Sequence, residues 1–165
     1  MAMLASPAAP PPCLTGAEAQ ALATVALPDI IRETGATCAG HLSANSLLRQ
    51  SGSPMLKRFD AEADRAWPAA HAAIVKLSDP GAAGLLESQF ARPLLSTLVT
   101  PLIVGRIATK DCGTIDRLVT LIAPLPPANV AGVVVTALQY LRTAEPIAGG
   151  WNPMASLPLC RQGEG

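Results

Sequence analysis

The clearest pattern along the chain is an apolar stripe between residues 54 and 77. Its apolar side chains recur at spacings of three and four residues and, at about 100° per residue, fill one face of a helix less than about a third of the circle wide. The stripe comprises Phe59, Ala63, Ala66, Trp67, Ala70, Ile74 and Leu77. Ser53 and Pro54 suit an N-cap and a first helical position. The pattern predicts one long amphipathic helix, which Pro68, on the opposite face, kinks without ending it.

Capping residues and helix breakers divide the rest of the chain into shorter predicted helices. Thr15 and Glu18 have the spacing of a capping box, which predicts a helix start. We expect Pro28 to end this first helix near residue 27 and to open a second one over residues 29–34, which Gly35 ends. Further helices are predicted over residues 43–50, 82–91, 111–123 and 130–142.

Two apolar segments allow more than one interpretation. Residues 93–104 form the longest apolar stretch, about a dozen residues against the roughly 20 that a membrane-spanning helix needs. We therefore predict no membrane span, and expect buried core that Pro93 and Pro101 split into short helical segments. The β-branched residues within 130–142 leave a buried strand as the alternative to a helix, but the length of the segment favours the helix.

The composition indicates an all-α fold. Half of the 165 residues are hydrophobic, much of that fraction is alanine, and only 3% are aromatic, a mixture that favours closely packed helices over β-sandwiches. The length suits one domain with one core. We expect a flexible leader rich in proline and alanine over residues 1–12, then a single compact multi-helix domain over residues 13–165. This domain includes an irregular tail over residues 145–165, with apolar anchors at Ile147, Trp151, Met154 and Leu157.

Charge and motif content exclude several functional classes. Twelve basic residues balance twelve acidic ones, and both signs are scattered, so no basic surface for a nucleic acid is predicted. The chain has no phosphate-binding glycine loop, H-E-x-x-H motif or C-x-x-C motif. The sequence therefore predicts no cofactor.

The four cysteines suggest disulfide bonds and an oxidising compartment. Cys13, Cys38, Cys112 and Cys160 lie just outside predicted helices, as covalent links between helices would. Four cysteines allow three pairings, of which helix lengths and expected turns favour 13–38 and 112–160. We expect a periplasmic or secreted protein. The alternative is a cytoplasmic protein with four buried thiols.

One strip of the long helix carries candidate chemistry. Asp60, Asp64 and His71 are spaced by four and seven residues, which places two carboxylates and an imidazole side by side, where they could ligate a metal or act as acid and base. The competing interpretation, which we favour, is an ordinary solvated helix face, because Arg58 and Arg65 lie close by. No metal site is therefore predicted, and these three residues stay weak candidates.

These observations favour a non-catalytic function. We expect an exported helical module that binds a protein partner or serves as an accessory subunit. The alternative is a small metal-dependent or hydrolytic enzyme that uses the strip of Asp60, Asp64 and His71.

Overall fold

The computed structural model describes residues 11–143 and 157–161. In these two ranges the chain forms six α-helices: α1 (Gly16–Cys38), α2 (Pro54–Leu77), α3 (Ala83–Leu86), α4 (Ala91–Val104), α5 (Cys112–Ile122) and α6 (Pro127–Thr143). Short 3₁₀ helices occupy Ala39–His41, Leu47–Arg49, Pro80–Ala82 and Thr109–Asp111. The predicted all-α fold is confirmed. None of the described helices is long and apolar enough to cross a membrane.

Helix α1 is one continuous helix where the sequence predicted two. It begins at the predicted capping box: the backbone N–H of Glu18 donates to the Thr15 hydroxyl at 3.3 Å, and the Glu18 carboxylate accepts from the Thr15 backbone N–H at 2.8 Å. Pro28 lies inside the helix and is buried. A proline removes one backbone hydrogen bond, and α1 continues past it because the helix packs along α2, α4 and α6.

Gly35 does not end α1, which contradicts the prediction. It is a buried residue in the helix interior, and a Cβ atom built on it would lie 2.0 Å from the carbonyl oxygen of Leu48. The glycine is therefore needed for the close approach of the Leu47–Arg49 segment to the helix. That segment is all that the structure contains of the helix predicted over residues 43–50.

Helix α2 has the predicted start, end and buried face. The Ser53 hydroxyl caps it by accepting from the Leu56 backbone N–H at 3.3 Å. Phe59, Ala63 and Ala70 of the predicted stripe are fully buried. Together with Met55 and Leu56 of the same helix, Phe59 packs in the main core. The other buried members of this core come from α1, the Leu47–Arg49 segment, α5 and α6: Ile31, Leu48, Val119 and Val130.

Helix α4 continues without a break at Pro93 and Pro101, the two prolines that were expected to divide it. Pro93 is the third residue of the helix, where a backbone N–H has no partner within the helix in any case. Pro101 lies near the other end and is exposed, so its single missing hydrogen bond is tolerated. The helix predicted over residues 82–91 is reduced to α3, whereas α5 and the helical interpretation of residues 130–142 are confirmed.

The four cysteines form two disulfide bonds, but not the favoured ones. Cys13 pairs with Cys160 and Cys38 with Cys112, with Cα–Cα distances of 4.9 and 5.6 Å. The pairing 13–38 required the chain to reverse at Pro28. Instead the 23 residues of α1 run straight through and separate its two ends by about 34 Å, so each end of the helix is bonded to a different distant segment.

The last described residues, 157–161, form a short segment that we call the C-terminal strap. It lies beside the start of the chain: the Leu14 backbone N–H donates to the Pro158 carbonyl at 2.6 Å, and the Cys160 N–H donates to the Leu14 carbonyl at 2.8 Å. Leu14 and Leu159 are both buried there, with Ala19, Ala73 and Val135. Residues 1–10 of the predicted leader, and the anchors Ile147, Trp151 and Met154, lie outside the described residues.

Candidate functional site

The carboxylate of Asp60 joins α2 to α1. Arg32 of α1 donates from Nη2 to Asp60 Oδ2 at 2.5 Å, and its Nη1 lies 3.5 Å from the Asp29 carboxylate. The hydrogen bond to Asp60, together with the charges of Asp60 and Asp29, raises the pKa of the Arg32 guanidinium. The two side chains therefore form a charged link between helices.

Asp64 and His71 are each bound to other helices. Arg92 of α4 donates from Nη1 to Asp64 Oδ1 at 2.6 Å, and its guanidinium lies 6.0 Å from the centre of the Trp67 ring. Nε2 of His71 lies 2.7 Å from the carbonyl oxygen of Leu86 in α3. Because a carbonyl can only accept, this nitrogen carries the hydrogen and donates.

The three predicted candidates thus face three different helices and do not converge. Within the described ranges, no group of three or more His, Cys, Asp and Glu side chains is placed to hold a metal ion. Asp60, Asp64 and His71 act as polar links from α2 to α1, α4 and α3. This geometry gives no support to the metal-dependent alternative.

We expect Asp60→Asn to lower the free energy of unfolding by about 1 kcal/mol, since the Asp60 side chain is partly exposed and its ion pair is screened by solvent. Urea unfolding measures this change. Glu62→Gln is the matched control, because among the described residues the ion pair of Glu62 is with Arg65 on the same helix, and its loss should cost less. A metal ion that copurifies with the wild type and is lost in Asp60→Asn would contradict this structural role.

An apolar groove, which the sequence pattern did not reveal, runs along α1 between α4 and α6. Its cavity measures about 320 Å³. The floor is formed by Leu22, Ala23, Ala26, Leu27 and Ile30 of α1. The walls are Leu95, Val99 and Ile103 of α4 and Val134, Val135 and Leu138 of α6. The cavity falls within the size range of ligand-binding clefts in proteins.

The arrangement of the helices explains why the groove exists. Helices α4 and α6 both pack against α1, and no packing of comparable extent joins them to each other. In the part of the chain that the structure describes, the space between the two walls therefore stays open above α1. The C-terminal strap closes one end of it with Leu157, Pro158 and Leu159, next to Leu14.

The walls of the groove carry no charge. The sequence has no Asp, Glu, Lys or Arg between residues 93 and 105, or between residues 124 and 141. Two charge-free segments of this length are a signal in the sequence that could have pointed to the groove. The expectation that residues 93–104 are buried core is wrong in part, because Leu98 and Leu102 are 61% and 69% exposed.

Comparison with protein-family models, curated proteins and solved structures finds no match to this chain. Its function is therefore inferred from the chemistry of the groove. Every described side chain that lines the groove is aliphatic, alanine or proline. Such a surface gains free energy by leaving water, at about 25 cal/mol per Å² of apolar area, and it selects an apolar ligand.

Proposed function

We propose that the protein is a non-catalytic binding module, exported to an oxidising compartment, whose groove takes the apolar face of a helical segment from a protein partner. The observation that carries this proposal is the charge-free apolar groove between α4 and α6. An amphipathic helix laid into a groove of this kind is a recurrent mode of peptide recognition.

The width of the apolar surface favours a helix over a lipid chain. On α4, the exposed Leu98 and Leu102 lie beside the wall residues Leu95 and Val99, so apolar surface continues outside the cavity. A helix with its side chains is about 10–12 Å wide and would cover both the cavity and this rim. A single acyl chain is narrower and would leave Leu98 and Leu102 in water.

The same lining offers no group for catalysis at the groove itself. None of the described side chains around the groove can hold or transfer a proton, or act as a nucleophile, because all are hydrocarbon. General acid–base and covalent catalysis both require such a group within hydrogen-bond reach of the substrate. The groove is therefore suited to binding.

Export is supported by the cysteines. All four cysteines of the chain are engaged in the two disulfide bonds, and none is free. Disulfides of this kind persist in the periplasm or outside the cell, whereas cytosolic reductants keep most thiols reduced.

The groove is tested with a designed probe, a fluorescently labelled amphipathic peptide of about four helical turns with leucines at spacings of three and four residues. We expect saturable binding that Val99→Asp weakens at least about tenfold, because the substitution places a carboxylate in the apolar wall. Ile103→Asp, at a wall position that is half exposed, serves as a second variant if Val99→Asp does not fold.

Leu118→Asp is the control, since Leu118 is an exposed leucine on α5, outside the groove. It should leave the affinity for the peptide unchanged, and melting curves followed by circular dichroism verify that each variant is folded. Equal weakening by Leu118→Asp would overturn the proposal. Binding of dodecanoate with no binding of the peptide would also overturn it, by making the groove a lipid site.

A further inference from the structure

The two disulfide bonds differ in their exposure. Cys38 and Cys112 both have 0% exposed surface, where the end of α1 meets the start of α5. Cys13 and Cys160 are only half buried, at the surface beside the C-terminal strap. Thiol–disulfide exchange requires a thiolate to reach a sulfur atom. The greater exposure of the Cys13–Cys160 bond therefore favours attack on that bond.

Contacts outside regular secondary structure hold the C-terminal strap against the start of the chain. Two backbone hydrogen bonds connect it to Leu14 on either side of an isolated bridge, and the Arg142 guanidinium donates to the Leu159 carbonyl. The strap belongs to no helix. A segment outside the helices opens locally at a lower free-energy cost than the packed helices do.

The strap is also part of the groove. Leu157 and Leu159 form its closed end, and Leu159 is packed in a cluster with Leu14, Ala19 and Val135. If the strap left this position, the groove would become open-ended, and the buried side chains of Leu14 and Ala19 would be exposed to water.

We propose that the Cys13–Cys160 bond is a redox-sensitive latch, and that its reduction by a dithiol releases the C-terminal strap and opens the end of the groove. The proposal rests on the groove being the binding site of the protein. The Cys38–Cys112 bond stays intact during this step and keeps the helices together.

The reaction is a complete thiol–disulfide exchange. A thiolate of the dithiol attacks one sulfur of the Cys13–Cys160 bond, forms a mixed disulfide and expels the other cysteine as a thiolate, which takes up a proton. The second thiol of the reductant then attacks the mixed disulfide, loses its proton and frees the remaining cysteine. The protein gains two electrons and two protons, and the reductant becomes a disulfide.

Differential alkylation tests the order of reduction. The folded protein is incubated with increasing dithiothreitol, alkylated with N-ethylmaleimide and analysed by peptide mass mapping. We expect Cys13 and Cys160 to become alkylated at a dithiothreitol concentration at least about tenfold lower than Cys38 and Cys112. Reduction of both bonds together, or of Cys38–Cys112 first, would overturn the proposal.

Opening of the groove is followed with the apolar dye ANS and with the labelled peptide used above. ANS fluorescence should rise at the first reduction step and should be equally high in Cys13→Ala/Cys160→Ala without reductant, while helix content measured by circular dichroism is retained. Unchanged ANS fluorescence would refute the release of the strap. Failure of the peptide to bind in either redox state would overturn the proposed function, but would leave the reduction order and the ANS signal as they are.

Discussion

The variant Cys38→Ala/Cys112→Ala is expected to lose about 4 kcal/mol of unfolding free energy. The bond joins the last residue of α1 to the first residue of α5 across a sequence separation of 74. Without it, the unfolded chain regains the entropy that the closed loop removed. Alanine also leaves a void in place of two fully buried sulfur atoms, which adds to the loss.

Urea unfolding followed by circular dichroism measures this loss, and the melting temperature should fall by roughly 10 °C. The matched comparison is Cys13→Ala/Cys160→Ala. Loop length alone would give that bond, with its separation of 147, at least as large an effect. We expect a smaller loss, because the native state of this variant also gains entropy when the strap opens, and because the partly exposed sulfur atoms of Cys13 and Cys160 leave no buried void. A loss below about 1 kcal/mol for Cys38→Ala/Cys112→Ala would show that this bond does not stabilise the fold.

The second large effect is expected for Gly35→Ala, which should cost about 3 kcal/mol. The added Cβ would lie 2.0 Å from the Leu48 carbonyl oxygen and 3.0 Å from its carbon, and both are backbone atoms that cannot turn aside. Helix α1 and the Leu47–Arg49 segment would have to separate. Leu48 itself is buried in the main core with Ile31 and Phe59, so the displacement would loosen that core.

Gly113→Ala is the matched control for this substitution. Gly113 is also helical, in α5, but nothing lies within 4 Å of the position of its Cβ. Alanine is the better helix former by up to about 1 kcal/mol, so this variant should be as stable as the wild type or slightly more stable. Thermal melts of the two variants compare the effects directly. A neutral Gly35→Ala would contradict the close approach of Leu48.

Signals within a few residues of each other were sufficient to predict the helical class and the best-defined elements. The caps at Thr15 and Ser53 and the apolar stripe of α2 concern neighbouring backbone and side-chain groups, and the structure contains them where they were predicted. Such local interactions need no information from distant parts of the chain. The equal numbers of acidic and basic residues, and their scatter along the chain, could also be read directly from the sequence.

Tertiary packing determined whether a proline or glycine ends a helix in this protein. A proline costs a helix one hydrogen bond wherever it occurs, but whether the helix ends depends on what the next turns bury. At Pro28 the following turns carry Ile31, Thr34 and Cys38 into buried positions, so α1 continues. Local sequence rules predicted that Gly35 ends the helix. In the structure it lies within α1, where the backbone of Leu48 approaches it closely, and no local pattern could indicate that contact.

The pairing of the cysteines and the partners of the candidate site were also determined by tertiary packing. Because α1 does not turn back, Cys38 meets Cys112 rather than Cys13. In the same way, helical periodicity placed Asp60, Asp64 and His71 on one strip, but it contained no information about Arg32, Arg92 and the Leu86 carbonyl, which bind them. The groove is a space between helices that are far apart in sequence. The sequence by itself therefore determined the helical class and the apolar, charge-free segments that form the walls. Only the packing of α4 and α6 on α1 determined that these walls face each other across a groove.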